Sequence, residues 1–144
     1  MFYTDIIIDA VPSVTRDAFL NFSALSLYHS SYYQSITLPD QAPARPGDKL
    51  ICTIDSIPYP AIVEVNSPRE FTWRGYLIWN WIFNGLHSFK FEKHGNQTRF
   101  VQCEELGGLL GGVLEAVARD RMLDGFRRFN NDFKCYVEGK EEGL

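Results

Sequence analysis

The stretch from His87 to Glu104 constrains this chain more than any other. It reads as two alternating strands joined at Gly95-Asn96, and one long helical pattern follows it. With an even number of residues in the turn, Phe91 faces Phe100, Phe89 faces Gln102 and His87 faces Glu104. One face of the hairpin is therefore apolar and ends in an imidazole opposite a carboxylate. Under a helix that leaves room beneath it, such a face forms a greasy cavity with polar groups at one end.

The helical pattern runs from Leu109 to Glu138. Apolar residues recur at Leu110, Leu114, Val117, Met122, Phe126, Phe129, Phe133 and Val137, with Arg119, Asp120, Arg127, Arg128 and Asp132 on other faces. About 30 residues at ~1.5 Å each give a helix roughly 45 Å long. The glycines at 107, 108, 111 and 112 form a hinge into it. Upstream, Asp48–Asp55, Ala61–Val65, Glu70–Ile78, His87–Lys93 and Thr98–Glu105 read as strands of a meander, punctuated by Pro58, Pro60, Pro68 and Gly95. The amino-terminal part predicts a strand over Tyr3–Ala10 closing at Pro12. A helix over Arg16–Leu25 capped by Thr15, a helical turn or two around Ser26–Ser31 and an extended segment over Tyr32–Leu38 come next. Pro39–Gly47 is irregular.

A helix that long hides its apolar stripe most economically in the concave face of a curved sheet. The expected fold is α+β, a helix grip. A curved antiparallel sheet of six to seven strands wraps the long carboxy-terminal helix, two short helices after the first strand plug one end, and a cavity lies inside. At 144 residues the chain suits one domain spanning residues 1–144, large enough to bury a core.

Charge excludes one class of partner. The net charge of −4 is made of scattered residues, so nucleic acid is not expected to bind. No run approaches the length of a membrane span, and Asp5 and Asp9 interrupt the apolar amino terminus, so the reading is a soluble, cytoplasmic protein, monomeric or homodimeric. Cys52, Cys103 and Cys135 are odd in number and far apart, which suits neither a disulfide framework nor a metal knuckle. His29, His87 and His94 are equally dispersed. No metal and no cofactor is expected.

Several segments together resemble the SRPBCC superfamily of START-like and birch-pollen-allergen-like domains, within it the polyketide cyclase/dehydrase and lipid-transport group. They are Ala10 to Asn21, Phe71 to Gly75, Phe83 to Phe89, Thr98 to Glu104, and the closing helix with Gly125-Phe126, Phe129-Asn130 and Phe133-Lys134. The resemblance spans essentially the whole chain and implies the helix-grip fold. It implies for function a carrier, a receptor or an enzyme on one frame. Two segments depart from the pattern, Tyr28 to Tyr33 and the aromatic loop holding Trp79, Trp81 and Phe83. Both are expected near a cavity mouth and point to a flat, ring-containing ligand.

His87 is the first candidate for proton transfer, since imidazole titrates nearest neutrality, with Glu104 orienting it and Tyr32 as a phenolic donor. The same His87–Glu104 contact also reads as a lock on the hairpin rim. Gln102 could hydrogen-bond a ligand carbonyl or phenol. Tyr28, Tyr33, Trp73 beside the small Gly75, Phe126, and Arg119 or Arg121 turned inward complete the candidate lining, which otherwise comes from Phe89, Phe91 and Phe100. Two functions fit. One is a cofactor-independent cyclase or isomerase that folds an aromatic or polyketide-type intermediate for ring closure, dehydration or ether formation. The other is a carrier or sensor of a lipid or other hydrophobic molecule, for which one or two inward polar groups suffice.

Overall fold

The computed structural model describes residues 1–38, 44–76 and 81–139. Their order is β1 (Phe2–Ile8), α1 (Pro12–Leu20), one 3₁₀ turn (Phe22–Ala24), α2 (Leu25–Tyr28), β2 (Tyr33–Thr37), β3 (Lys49–Ile54), β4 (Ile57–Ser67), β5 (Glu70–Tyr76), β6 (Asn84–His94), β7 (Gln97–Gly107) and α3 (Gly111–Val137). The seven strands form one antiparallel sheet in the order β1-β7-β6-β5-β4-β3-β2. The sheet curls around α3, as expected, and the two short helices follow the first strand. The β6–β7 hairpin has the register read from the sequence, with Phe91 opposite Phe100, Phe89 opposite Gln102 and His87 opposite Glu104.

The first helix begins earlier than its pattern suggested. Pro12 occupies its first turn and Val11 is its N-cap without a side-chain bond, so Thr15 is not a cap. Proline fits there because its missing N–H is one that a helix start leaves unpaired anyway. Thr15 is fully buried instead, its hydroxyl 3.2 Å from that of Thr98 on β7.

Pro58 and Pro60, expected to punctuate, lie inside β4. The Val63 N–H points to Asp48 O at the start of β3. By strand alternation the nitrogens at 58 and 60 point the other way, where pairing with β5 begins at Ala61 among the described residues, so the two prolines take no bond from the β3–β4 ladder. Asp55 and Ser56 make the two-residue β3–β4 turn with φ of 50° and 66°, a conformation short polar side chains tolerate.

The core is aromatic and fills one half of the concave face. Phe19 of α1 wedges between sheet and helix, its ring 4.5 Å from Phe89, 5.7 Å from Phe91, 6.1 Å from Phe100 and 5.9 Å from Phe133. The carboxy-terminal half of α3 buries Gly125, Phe126, Phe129, Asn130 and Phe133 there. Its other half differs, since no residue from Gly112 to Asp124 is buried. The hinge glycines lead into it through a fixed connection: Gly108, at φ +82°, brings its backbone against Ile82, and the Leu109 and Leu110 N–H groups donate to the carbonyls of Trp81 and Ile82.

Candidate functional site

Three rows across the sheet explain where space remains. In the aromatic half, Phe71, Phe89, Gln102 and Thr4 lie side by side across β5, β6, β7 and β1. The next row is Val63, Trp73, His87, Glu104 and Phe2. The third is Ala61, Gly75, Gly85 and Leu106, a lane with almost no side chain on three adjacent strands. Above it, α3 offers Leu114, the small Ala118 and Met122. The result is a pocket of about 260 Å³ with Trp73, His87 and Glu104 at its inner end and Asp55, Ile57 and Arg121 at its outer rim. Ile57 is half exposed, so the pocket opens to solvent there. An ion pair from Arg121 on α3 to Asp55 at the strained β3–β4 turn spans the rim.

Glu104 is the polar centre of this pocket. Its side chain is nearly buried, and among the described residues its one polar contact is His87, with Nδ1 and Oε2 3.5 Å apart. Burial pushes the carboxyl up to about 8 and the imidazole down to about 3. At that distance no short hydrogen bond is formed, and desolvation drives both groups to their neutral forms, so the pair is an acid facing an imidazole and not an ion pair. Gly85 makes room for the carboxyl, since a β-carbon there would collide with Glu104 Oε1. The Tyr32 phenol and the Cys52 thiol on the pocket wall are also raised by burial and stay neutral.

Behind the pocket lies a polar chain in the core. Tyr33 Oη donates to Gln102 Oε1, which also lies 3.0 Å from His87 Nε2. Gln102 Nε2 donates to Asn130 Oδ1 at 2.8 Å, Asn130 Nδ2 to Thr4 Oγ1 at 2.9 Å, and Thr4 Oγ1 to the Gln102 carbonyl at 3.2 Å. Every member is buried and none of these side-chain atoms is left without a partner.

No protein family matches the sequence, and no curated protein does. Solved structures do match in three dimensions. The hypothetical protein jhp0584 from Helicobacter pylori superposes with a TM-score of 0.77 at 15% identity, over 94% of this chain and 86% of that one. Ara h 8.0201 gives 0.69 at 12% identity, over 96% and 97%. The di-domain ARO/CYC StfQ from the steffimycin biosynthetic pathway gives 0.73 at 5% identity, over 96% of this chain and 50% of that one. The fold is a helix grip. At these identities the likeness is one of fold.

Within the helix grip, the sequence-derived site divides. His87, Glu104, Tyr32, Trp73, Phe83 and Arg121 line the pocket. Phe89, Phe91, Phe100 and Phe126 do not line it; they are fully buried in the aromatic core, where Phe19 occupies the space expected for a ligand. Gln102 also faces away from the pocket, its amide consumed by Tyr33, His87 and Asn130. Tyr28 lies elsewhere, stacked on Tyr136 at 4.3 Å, and Trp81 is largely exposed outside the pocket. Arg119 reaches over the outside of the Phe2 ring. Trp79 lies outside the described residues. The sequence reading missed Gly85 and Asn130 as site residues, and it named Tyr32 as the phenolic donor, whereas Tyr33 is the tyrosine whose hydroxyl lies 3.1 Å from His87 Nε2. Gly85 is legible from the derived register, as the residue two before His87 on the same face. Among the described residues no cluster of His, Cys, Asp and Glu could hold a metal, and no helix is long and apolar enough to cross a membrane.

Proposed function

We propose that this chain binds a compact hydrophobic or aromatic molecule in the pocket and acts on it as a cofactor-independent cyclase or isomerase. Glu104 exchanges a proton with the ligand, and Trp73 and the glycine lane hold the ring. The observation that carries this reading is a nearly buried carboxyl at the inner end of an apolar pocket, pushed up to about 8 by burial so that it holds its proton at neutral pH and can give it to a ligand. In this reading His87, the first candidate for proton transfer from sequence, serves as the partner of that acid, with its imidazole pushed down by burial and Nε2 engaged in the core. At about 260 Å³ the pocket is smaller than the ~300–1,000 Å³ typical of drug-sized ligands, which favours a molecule of few rings. Two structural neighbours, StfQ from the steffimycin biosynthetic pathway and DynU16 from the dynemicin biosynthetic locus, support natural-product chemistry.

A carrier without chemistry is the second reading, favoured by the small number of polar groups at the inner end once Gln102 and Tyr33 are spent on each other. The protein is incubated with cell extract, re-isolated, and its bound compound identified by native mass spectrometry. Conversion of that compound by the wild type and not by Glu104→Gln supports the cyclase. Release unchanged by both leaves the carrier.

A further inference from the structure

The direction of every hydrogen bond in the buried chain follows from two backbone carbonyls, which only accept. Thr4 Oγ1 donates to the carbonyl of Gln102, so its oxygen accepts from Asn130 Nδ2. Asn130 Oδ1 then accepts from Gln102 Nε2, which also approaches the Phe126 carbonyl at 3.5 Å. Reversing the amides would forfeit the bonds to both carbonyls. Gln102 therefore presents Oε1 to Tyr33 and His87. Because the one Tyr33 proton goes to Oε1, Tyr33 Oη, 3.1 Å from His87 Nε2, can only accept from it, so a neutral imidazole beside these two oxygens must donate from Nε2. His29 provides the opposite case in the same molecule. The Tyr33 N–H donates to its Nε2 at 3.1 Å, which leaves Nδ1–H to donate to Asp132 at 2.8 Å.

We propose that the Thr4–Asn130–Gln102 chain locks His87 as the Nε2–H tautomer with a bare Nδ1 towards Glu104, and that the ligand is consequently one carrying a hydroxyl, phenolic or enolic, directed at this pair. Nδ1 and the two carboxyl oxygens are three acceptors clustered at the inner end of the pocket, with one carboxyl proton among them. Wherever that proton goes, acceptors remain turned to the ligand. The Tyr32 hydroxyl, also on the pocket wall, hydrogen-bonds to none of them among the described residues. An ether or a ketone has no proton to give and leaves the cluster short; a hydroxyl completes it. Gln102, Asn130 and Thr4 are positioning residues in this scheme, since they act only through His87.

The tautomer half needs no ligand, whereas the ligand half rests on the pocket reading above, and the test separates them. A two-bond 1H–15N correlation spectrum of the uniformly labelled protein near neutral pH, with His87 assigned through its contact to Phe89, is expected to show a protonated Nε2 and a bare Nδ1. His29 should show the reverse. A protonated Nδ1 on His87 overturns the proposal. Equilibrium dialysis then compares 2-naphthol with 2-methoxynaphthalene. The naphthol is expected to bind roughly tenfold or more tightly, and the preference to vanish in Glu104→Leu. Equal binding of the two overturns the hydroxyl assignment. If neither compound binds, the pocket reading and the ligand class fall together, while the spectrum still decides the tautomer.

Discussion

The ring of Tyr32 packs directly onto the backbone of Gly125, so closely that a β-carbon at 125 would overlap its Cγ, Cδ1 and Cε1 atoms. The helix thereby sets the position of a ring on the pocket wall through an absent side chain.

Gly125→Ala is expected to destabilise the fold by about 1–3 kcal/mol, the usual range for overpacking, with an unchanged denaturant slope. The ring is the obstacle, so the same substitution in a Tyr32→Leu background should cost less. Equal costs in the two backgrounds, read by urea unfolding, would contradict the contact.

Gly85→Ala tests the seat of the carboxyl. The atom it displaces is the flexible end of Glu104, so stability should change by less than about 1 kcal/mol while affinity for a pocket ligand falls. Calorimetric titration beside an unfolding curve separates the two effects.

The raised Glu104 gives stability an alkaline slope. Its folded value of about 8 lies above the ordinary 4.5, so the unfolded chain releases this proton first, and stability declines as pH rises from 4.5 towards 8. Glu104→Gln should remove that decline and be more stable than the wild type at the alkaline end, by on the order of 2–4 kcal/mol at most. Melting temperatures of both proteins across this window check the sign.

His87 acts in the opposite direction. Its folded value of about 3 lies below the ordinary 6.5, so its contribution is intact above 6.5 and is lost as pH falls towards 3. Desolvation lowers the value for His29 as well, adding to the same limb. Replacing His87 with Gln should recover on the order of 2 kcal/mol of the acid-induced loss by pH 5, measured as unfolding free energy against the neutral value.

The bridge from Arg121 to Asp55 is exposed and so is worth little to folding, within roughly 1 kcal/mol. Arg121→Ala should leave unfolding nearly unchanged and speed ligand release by stopped-flow. An unaltered off-rate would show that the rim does not gate exchange.

The hairpin register was legible because a two-residue turn and strict alternation leave one pairing that keeps Phe89, Phe91 and Phe100 on a single face. Alternation says which face a residue takes and nothing about how far along that face the space is filled. That was decided by Phe19, which reaches in from α1 and closes the half of the grip holding those three rings. The same limit applies to Gln102, whose partners Asn130 and Thr4 come from opposite ends of the chain, and to Pro58 and Pro60, whose nitrogens face away from β3. Trp73 beside Gly75 was read as a slot, and the slot exists because Gly85 faces Gly75 on the next strand.

The two halves of α3 have separate duties. Residues from Gly125 onward anchor the helix in the aromatic core, whereas the segment from Gly112 to Asp124 has no fully buried residue and lines the pocket with Leu114, Ala118, Arg121 and Met122. The shape of the pocket can therefore be altered at Leu114, Ala118 or Met122 without disturbing the foundation that Phe126, Phe129 and Phe133 lay in the aromatic core.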